Sequence, residues 1–342
     1  MTRLALRRGV VTAIESEGPA ARIRVRIGDE ERSAIAYLDM TGPVEQGDEV
    51  VVNIAARDLD LGSGGFDIVH VNLTRGLHSD GEPGTHVMKL NYTSLQHAFD
   101  PVETLRSARP GDVRSKPVAV LALHGQLPCV AWAAAQRVPD AWIGYIQTWG
   151  GALAGALSDT VRELRGRNLL AGHITAGQAF GGEHEAVSLE GAIAAGLEAF
   201  EWDAAIIGPG PGIIGSDTAL GHGGMAALES THAALAMGAK PVLVPRMSSG
   251  DPRERHHGLS HHSKTVLALL LREIDVAMPD SRPVPGHRAR PGAVDLDGYR
   301  GSGLPARTMG RGIDEDELFF RAALAGGAVL AEEIDGVRAG RQ

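Results

Sequence analysis

The sequence predicts an α/β fold: an open, mostly parallel, doubly wound (Rossmann-like) sheet preceded by a small all-β, barrel-like domain. Three observations predict it. Over residues 116–275 a short apolar run followed by a helix-compatible stretch recurs five times, the rhythm of a parallel sheet with helices on both faces. Over residues 1–75, five short strand-like segments alternate with turn signals, the pattern of a small barrel or sandwich. Chemically unusual residues fall in the segments after the predicted strands of the second region, where open α/β sheets bind ligands.

The β domain is read from Val10–Ile14, Ala21–Ile27, Ser33–Tyr37, Glu49–Ile54 and Phe66–Val71. In the second run Ile23, Val25 and Ile27 alternate with Arg22, Arg24 and Arg26, the period of a half-buried strand. Gly18-Pro19, Gly28-Asp29 and Gln46-Gly47-Asp48 mark the turns between runs. Such a module suits partner binding, packing on a catalytic domain or homo-oligomer formation. A junction at 76–115 holds a strand over His86–Tyr92 and a helix near 93–107, closed by Pro110-Gly111-Asp112.

The α/β domain opens with Pro117–Leu123, continuously apolar like a strand buried on both faces, and a helix to about 137. There follow strand 141–147 and helix 151–166, strand 169–174 and helix 185–200, strand 203–208 and helix 223–238, and strand 240–245 and helix 261–274. Five units are too few for an eight-stranded barrel. Residues 276–342 start with a Pro/Arg/Gly-rich connector at 279–293 and end in a helix over Asp314–Leu324, whose acidic first turn suits the positive end of its dipole. Arg338–Gln342 reads as a frayed tail.

The chain has 342 residues, enough for two or three domains, and is 43% hydrophobic but only 4% aromatic, so its core is aliphatic. A net charge of −9 argues against a broad nucleic-acid surface. The single cysteine, Cys129, excludes an internal disulfide or a multi-cysteine metal site, and its apolar surroundings read as those of a small buried hydrophobe. No apolar run approaches the roughly 20 residues that span a bilayer, and the segment Met1 to Arg8 carries charge without a long apolar stretch. A cytoplasmic protein with no membrane partner is expected.

The segment Asp251–Thr265 carries the most chemistry: three cations, two carboxylates and four histidines in fifteen residues. Arg246, Arg253 and Arg255 suit bidentate grip on phosphate or carboxylate. Ser260 reads as a helix N-cap, which puts His261, His262 and Lys264 in a first turn that favours an anion and disfavours imidazolium. Asp251 suits orienting a histidine or holding an arginine. Metal is the competing reading, with His256, His257, His261 and His262 as candidate ligands, although adjacent histidines rarely face one ion and H-E-x-x-H is absent.

Other candidates lie after the earlier strands. His124 follows the first, and Gln147 and Thr148 the second. Thr175 and Gln178 follow the third and suit hydrogen bonds to a polar substrate. Glu183 and Glu185 read either as caps of the next helix or, for one of them, as a general base or metal ligand. The glycine loop 208–224 contains Gly210-Pro-Gly-Ile-Ile-Gly215, but its helix starts late and Arg246 stands where an acidic residue would meet ribose. A nicotinamide cofactor is therefore not expected; Gly208, Gly210 and Gly212 suit either a backbone-walled ligand pocket or a tight crossover.

The runs Gly177–Gly182, Gly208 onward, Pro245–Ser248, Asp251–His256, Gly258–His262, Ser302–Pro305 and Met309–Gly312 resemble a bacterial family catalogued as domain of unknown function 3866 (DUF3866). The resemblance spans nearly the whole chain and implies a bacterial cytoplasmic protein, with no assigned activity or cofactor. The residues themselves point to an enzyme, a hydrolase or group transferase, acting on a small anionic metabolite, with phosphorylated and nucleotide-like molecules as the candidates. In that reading the arginines hold the anion while His261 or His262, with Glu185 or His124 opposite, moves protons. The alternatives are a ligand-binding or regulatory protein without turnover and a metal-dependent hydrolase; a scaffold assembled through the β domain is a weaker one.

Overall fold

Alternation in the first region closes a barrel. The computed structural model describes residues 3–59, 65–78, 84–105, 109, 113 and 115–340, and the chain divides into two units, Met1–Phe99 and Asp100–Gln342. In the first, β1 (Leu6–Ser16), β2 (Ala20–Ile27), β3 (Glu30–Tyr37), β4 (Glu49–Asn53) and β5 (Asp67–Asn72) form a closed barrel of order β1-β2-β3-β5-β4. Closure removes exposed sheet edges. Ile23, Val25, Val50, Val52 and Val69 fill its core, while Arg22 and Arg26 stay outside.

The junction differs from expectation. Only Met88–Lys89 of the His86–Tyr92 run pairs, with His97–Ala98, and near 93–107 the described residues form a single 3-10 turn, Val102–Thr104. Pro110–Asp112 lies outside the described residues.

In the second unit the sheet has eight parallel strands, not five. They are β6 (Pro117–Leu121), β7 (Ile143–Thr148), β8 (His173–Ala176), β9 (His184–Ala186), β10 (Ala204–Pro209), β11 (Lys240–Val244), β12 (Asp275–Met278) and β13 (Arg288–Pro291), in the order β9-β8-β7-β10-β6-β11-β12-β13. The three extra strands sit toward the edges and are three or four residues long. β9 replaces the expected start of a helix at 185, and β13 lies inside the expected connector.

Helices cover both faces. Val118, Val120, Ile146, Ile207 and Leu243 pack under α3 (Leu189–Ala194, continued by a π-turn Ala195–Ala199), α4 (Ala226–Ala236) and α5 (His261–Leu269). Leu121, Tyr145, Ile206 and Val244 pack under α1 (Leu127–Arg137), α2 (Asp159–Gly166), α6 (Leu296–Gly301) and α7 (Glu317–Ala339). α2 and α5 are shorter than expected. α7 is far longer, running through Gly326-Gly327 and past Arg338 instead of fraying there. A Cβ at Gly327 would come within 2.3 Å of the Val130 carbonyl, so that glycine lets α7 lie close against α1.

Central neighbours β6 and β11 send their connections to opposite faces, to α1 and to α5. This is a topological switch point, where such sheets open a crevice at their carboxyl edge. Gln126 ties the two strand ends: its Oε1 accepts from the backbone N–H of Ala122 and Leu123, and its Nε2 donates to the carbonyls of Val244 and Pro245.

Candidate functional site

Beyond β11 the chain folds back on itself before entering α5. The Arg246 N–H donates to Ser263 Oγ at 2.8 Å and the Ser260 N–H donates to the Arg246 carbonyl at 3.0 Å. Met247–Ser248 pairs with Gly258–Leu259, so residues 249–257 form a loop on a two-stranded base. Ser260 caps α5, its Oγ accepting from the His262 N–H. The cap starts the helix at His261 and directs two successive imidazoles from one turn.

Four imidazoles meet there. His256, His261 and His262 lie with ring centroids 4.3–4.9 Å apart. His222, from the glycine loop before α4, stacks on His262 at 3.7 Å with planes 10° apart. His256 is fully buried. Its Nδ1 is 2.7 Å from Ser260 Oγ, and its Nε2 has no hydrogen-bond partner; nor do His261 Nε2 and His222 Nδ1. One ring nitrogen from each of His256, His261 and His262 lies within 4.8 Å of the other two.

Behind the rings stands an arginine–aspartate network. Asp251, fully buried, accepts from Arg246 Nη2 (2.8 Å), from Arg253 Nε and Nη2 (2.9 and 3.0 Å) and from Arg311 Nη2 (3.2 Å). Arg311, on the Arg307–Gly312 hairpin, also donates to Asp316. Asp316 in turn accepts from Ser248 Oγ and from the N–H groups of Ser249 and Gly250, anchoring the start of α7 to the loop. Arg246 is buried, yet its Nε–H has no partner; its Nη1 lies a long 3.5 Å from His262 Nδ1.

Burial sets the charge states. It pushes His262 down to about 2 and His256 to about 3, helped by the cationic Arg246, and lowers His261 and His222 as well. All four rings are neutral at ordinary pH. Burial pulls Arg246 down to about 10 against the opposing pull of Asp251, so it stays charged. Burial would raise the Asp251 carboxyl, but the bonds and charge of Arg253 and Arg246 outweigh it and hold the group below the usual carboxylate range.

Several expected site residues have other employment. Arg253 is spent on Asp251, and Arg255 pairs with the exposed Asp217. His257 turns away from the rings and bonds the Asp251 carbonyl at 2.5 Å. Lys264 is exposed. His124 is buried in the core: its Nδ1 contacts the Pro209 carbonyl and Tyr145 hydroxyl, its Nε2 the Ser158 hydroxyl, and burial pushes it down to about 4. Glu185 lies on β9, at the far edge of the sheet from β11, where it accepts from Thr175 Oγ1 and the Gly181 N–H. It is neither in a helix nor opposite the histidines. Glu183 bonds Arg165; the cap of α3 is Ser188.

The glycine loop packs on backbone. A Cβ at Gly210 would meet the Ala152 carbonyl at 2.0 Å, one at Gly223 the Gly150 carbonyl at 1.7 Å, and one at Gly208 the Leu121 side chain at 2.9 Å. These close approaches explain the glycines as a tight crossover, with no helix N-terminus inside the motif; Gly212, at φ 73°, turns the chain in open space. A cavity of about 520 Å³ does open on the same carboxyl edge, lined by Thr148, Trp149, Gly177, Gln178, Glu229 and Ser230. It runs along α4, which begins just after His222. Cys129 is buried and its thiol is pushed up to about 12 by burial, which makes it inert.

Sequence reasoning missed His222, Arg311 and Asp316 as members of the site. The first was hidden in a glycine-rich run, the other two lie some 50 residues or more beyond the histidine segment. The short Met309–Gly312 motif was the available signal.

A family model described as a protein of unknown function, DUF3866, matches residues 33–327. No curated protein matches. Among solved structures, the crystal structure of YjeQ from Thermotoga maritima is similar at 10% identity and a TM-score of 0.15, over 76% of this chain and 65% of that one. The chain thus spans less than two thirds of that structure, and a likeness this slight carries no argument about fold or site. No helix among the described residues is long and apolar enough to cross a membrane.

Proposed function

The chain belongs to the DUF3866 family, and we propose that it is an enzyme that binds a small anionic metabolite at the carboxyl edge of its α/β sheet and acts on it by hydrolysis or group transfer. The observation that carries this reading is the convergence of unpartnered polar atoms at the switch point. The buried Nε–H of Arg246 and the free ring nitrogens of His256 and His261 have no partner, while His222 Nδ1, with the ring proton on Nε2, is free as an acceptor only. Each such group costs about 1–3 kcal/mol when left unmet in a folded protein, so a ligand that satisfies several of them gains correspondingly.

Charge favours an anion. Arg246, Arg253 and Arg311 face Asp251 and Asp316, three cations against two carboxylates, and the histidines are neutral. The site therefore carries one net positive charge in buried surroundings, where Coulomb forces are less screened. Arg246 supplies the grip, while Arg253 and Arg311 hold Asp251 and position Arg246 through it. The cavity along α4, lined by Gln178 and Thr148 among others, shares no lining residue with the histidines or these arginines and is a separate recess on the same edge. Neutral imidazoles this depressed are weak bases; an anion bound beside them restores basicity, so proton transfer through His261 or His262 goes with substrate binding.

The depressed rings also favour a second reading, a binding or regulatory protein that uses this pocket without turnover. Thermal shift of the full chain with phosphate, sulfate, nucleotides and sugar phosphates tests both. A true ligand at about a hundred times its Kd adds about 2.7 kcal/mol of stability, and Arg246→Met loses most of that gain. His262→Ala abolishes turnover and keeps the thermal shift if the site is catalytic. Indifference to every anion tried would sink the anion reading, and binding with no turnover of any bound anion would leave the regulatory one.

A further inference from the structure

We propose that His256, His261 and His262 form a binding site for a borderline first-row transition-metal ion, zinc or a close neighbour, with His222 stacked behind His262. The inference deepens the reading of the same pocket and depends on it only for the remaining ligand position.

Three converging imidazoles carry the argument, with His222 stacked behind them. His222 Nε2 lies 3.0 Å from the Ala219 carbonyl, and a carbonyl only accepts, so Nε2 bears the proton. His222 Nδ1 therefore presents a lone pair, and that atom is buried without a partner. That lone pair lies in the ring plane, and the ring is stacked on His262 at 3.7 Å with planes 10° apart, so it cannot meet an ion held in the plane of His262; His222 backs the trio and does not ligate. A Cβ at Gly224 would come within 2.9 Å of this nitrogen, so the glycine keeps the ring in place.

The three remaining rings fit a metal ion. His256 has its outer nitrogen against Ser260 Oγ and its inner nitrogen free, and His261 Nε2 is free too. One nitrogen on a protein group and the other open is the arrangement in which metal-ligating histidines are oriented by their surroundings. The ligand nitrogens of His256, His261 and His262 lie within 4.8 Å of one another. Tetrahedral zinc with bonds of about 2.1 Å needs them roughly 3.4 Å apart, so binding closes the rings by side-chain rotation.

The donor set selects the ion. Imidazoles without a carboxylate in the group argue against calcium or magnesium, and the absence of thiolate against a structural cysteine-type site. The surrounding net positive charge opposes a bare dication and favours one that carries an anion, which leaves the open coordination position to hydroxide or substrate.

The test is direct titration of the full-length chain, made without a histidine tag and stripped by chelator, with Co(II) and then Zn(II). One Co(II) per chain with the intense visible bands of a four-coordinate ion, displaced by Zn(II), is the expected result. His261→Ala weakens binding roughly tenfold or more, whereas His257→Ala, its ring turned away, leaves it unchanged. If His256→Ala, which removes a fully buried ring, fails to fold, the His261 and His257 variants decide. Absence of stoichiometric binding, or equal losses in His257→Ala and His261→Ala, overturns the proposal. Phosphate titration of the metal-free chain is read separately: an anion bound there without any metal site leaves the pocket reading standing and this inference failed.

Discussion

Two buried arginines in this chain stand on aspartates and do different work. Arg32, in the barrel, has every nitrogen engaged: Nε on Asp67 at 2.6 Å, Nη1 on Glu30 at 3.3 Å, and Nη2 on Asp58 and Asp67 at 2.8 and 3.0 Å. The hydrogen bond to Asp67 leads the causes that raise its pKa above the usual value. Arg246 has one carboxylate, which it shares with Arg253 and Arg311, and an unpartnered Nε–H; burial pulls its pKa down. A structural ion pair saturates its arginine with negative charge, whereas Arg246 is left with capacity and with cations for neighbours. That surplus, more than the count of charged residues, separates a candidate site from a structural cluster.

The largest effects come from breaking each network. Arg32→Met leaves the Asp67 carboxylate, 1% exposed, without its main partner, and removal of one member of a buried pair costs about 3–5 kcal/mol. Asp251→Ala strands Arg246 and costs a similar amount. The two differ in rescue: phosphate or sulfate stabilises Asp251→Ala more than the native chain, because the anion takes the carboxylate's place, and does nothing specific for Arg32→Met. Urea unfolding with and without the anion checks this, and equal rescue of both would erase the distinction.

Histidines give the next comparison, since His124 is what a merely packed imidazole looks like here. Its folded pKa is about 4 against an unfolded value near 6.5. The unfolded chain therefore binds more protons between those values, and stability falls as pH drops from about 6.5 to about 4. At about 1.4 kcal/mol per unit the single group contributes roughly 3 kcal/mol to that acid loss. His173, pushed down to about 3 mainly by burial, adds to it in the same direction. Unfolding measured across this range in His124→Gln should show a shallower acid limb than the native chain; identical limbs would mean that His124 titrates freely.

A smaller effect tests how α7 is tied to the network. A Cβ on Gly250 would lie 1.8 Å from the Glu315 carbonyl, beside the backbone that presents Asp316 to the loop. Gly250→Ala should cost about 1–3 kcal/mol as the crowded backbone shifts. It should also weaken anion-induced stabilisation, because Arg311 and Asp316 move with it. Lost stability with full anion response would show that α7 supports the fold and not the pocket.

The comparison also explains what was legible in the sequence. Period-two alternation over Ala20–Ile27 and the repeated apolar runs gave both units, because burial on one or two faces writes directly into composition. β9, β12 and β13 were not legible: they are short edge-side strands, and His184–Ala186 or Arg288–Pro291 carry no apolar run. The histidine segment pointed to the cluster that is the candidate site, and Ser260 announced where α5 begins. The allocation of charge within it could not be read, since Arg253 and Arg255 look alike in sequence until Asp251 claims one and Asp217 the other. Nor could His222, Arg311 or Asp316 be joined to it, because only the crossover and the long return of α7 bring them there.

Arg255 is the case where that local reading and the structure part most clearly, and it gives the smallest expected effect. It stands between Arg253 and His256 in sequence, yet among the described residues its carboxylate partner is Asp217, whose side chain is 78% exposed, and its own is 35% exposed. Exposed pairs contribute about 0–1 kcal/mol, so Arg255→Ala should move the unfolding midpoint little. Neither anion nor metal affinity should change beyond the modest loss of one partly exposed positive charge, which acts on His261 and which salt screens over about 8–10 Å. Titrating Arg255→Ala beside Arg246→Met places the boundary of the pocket between two arginines of the same segment. A large loss of phosphate binding in Arg255→Ala would mean that its pair with Asp217 opens when the anion arrives, and that the surplus of positive charge extends further than the buried network.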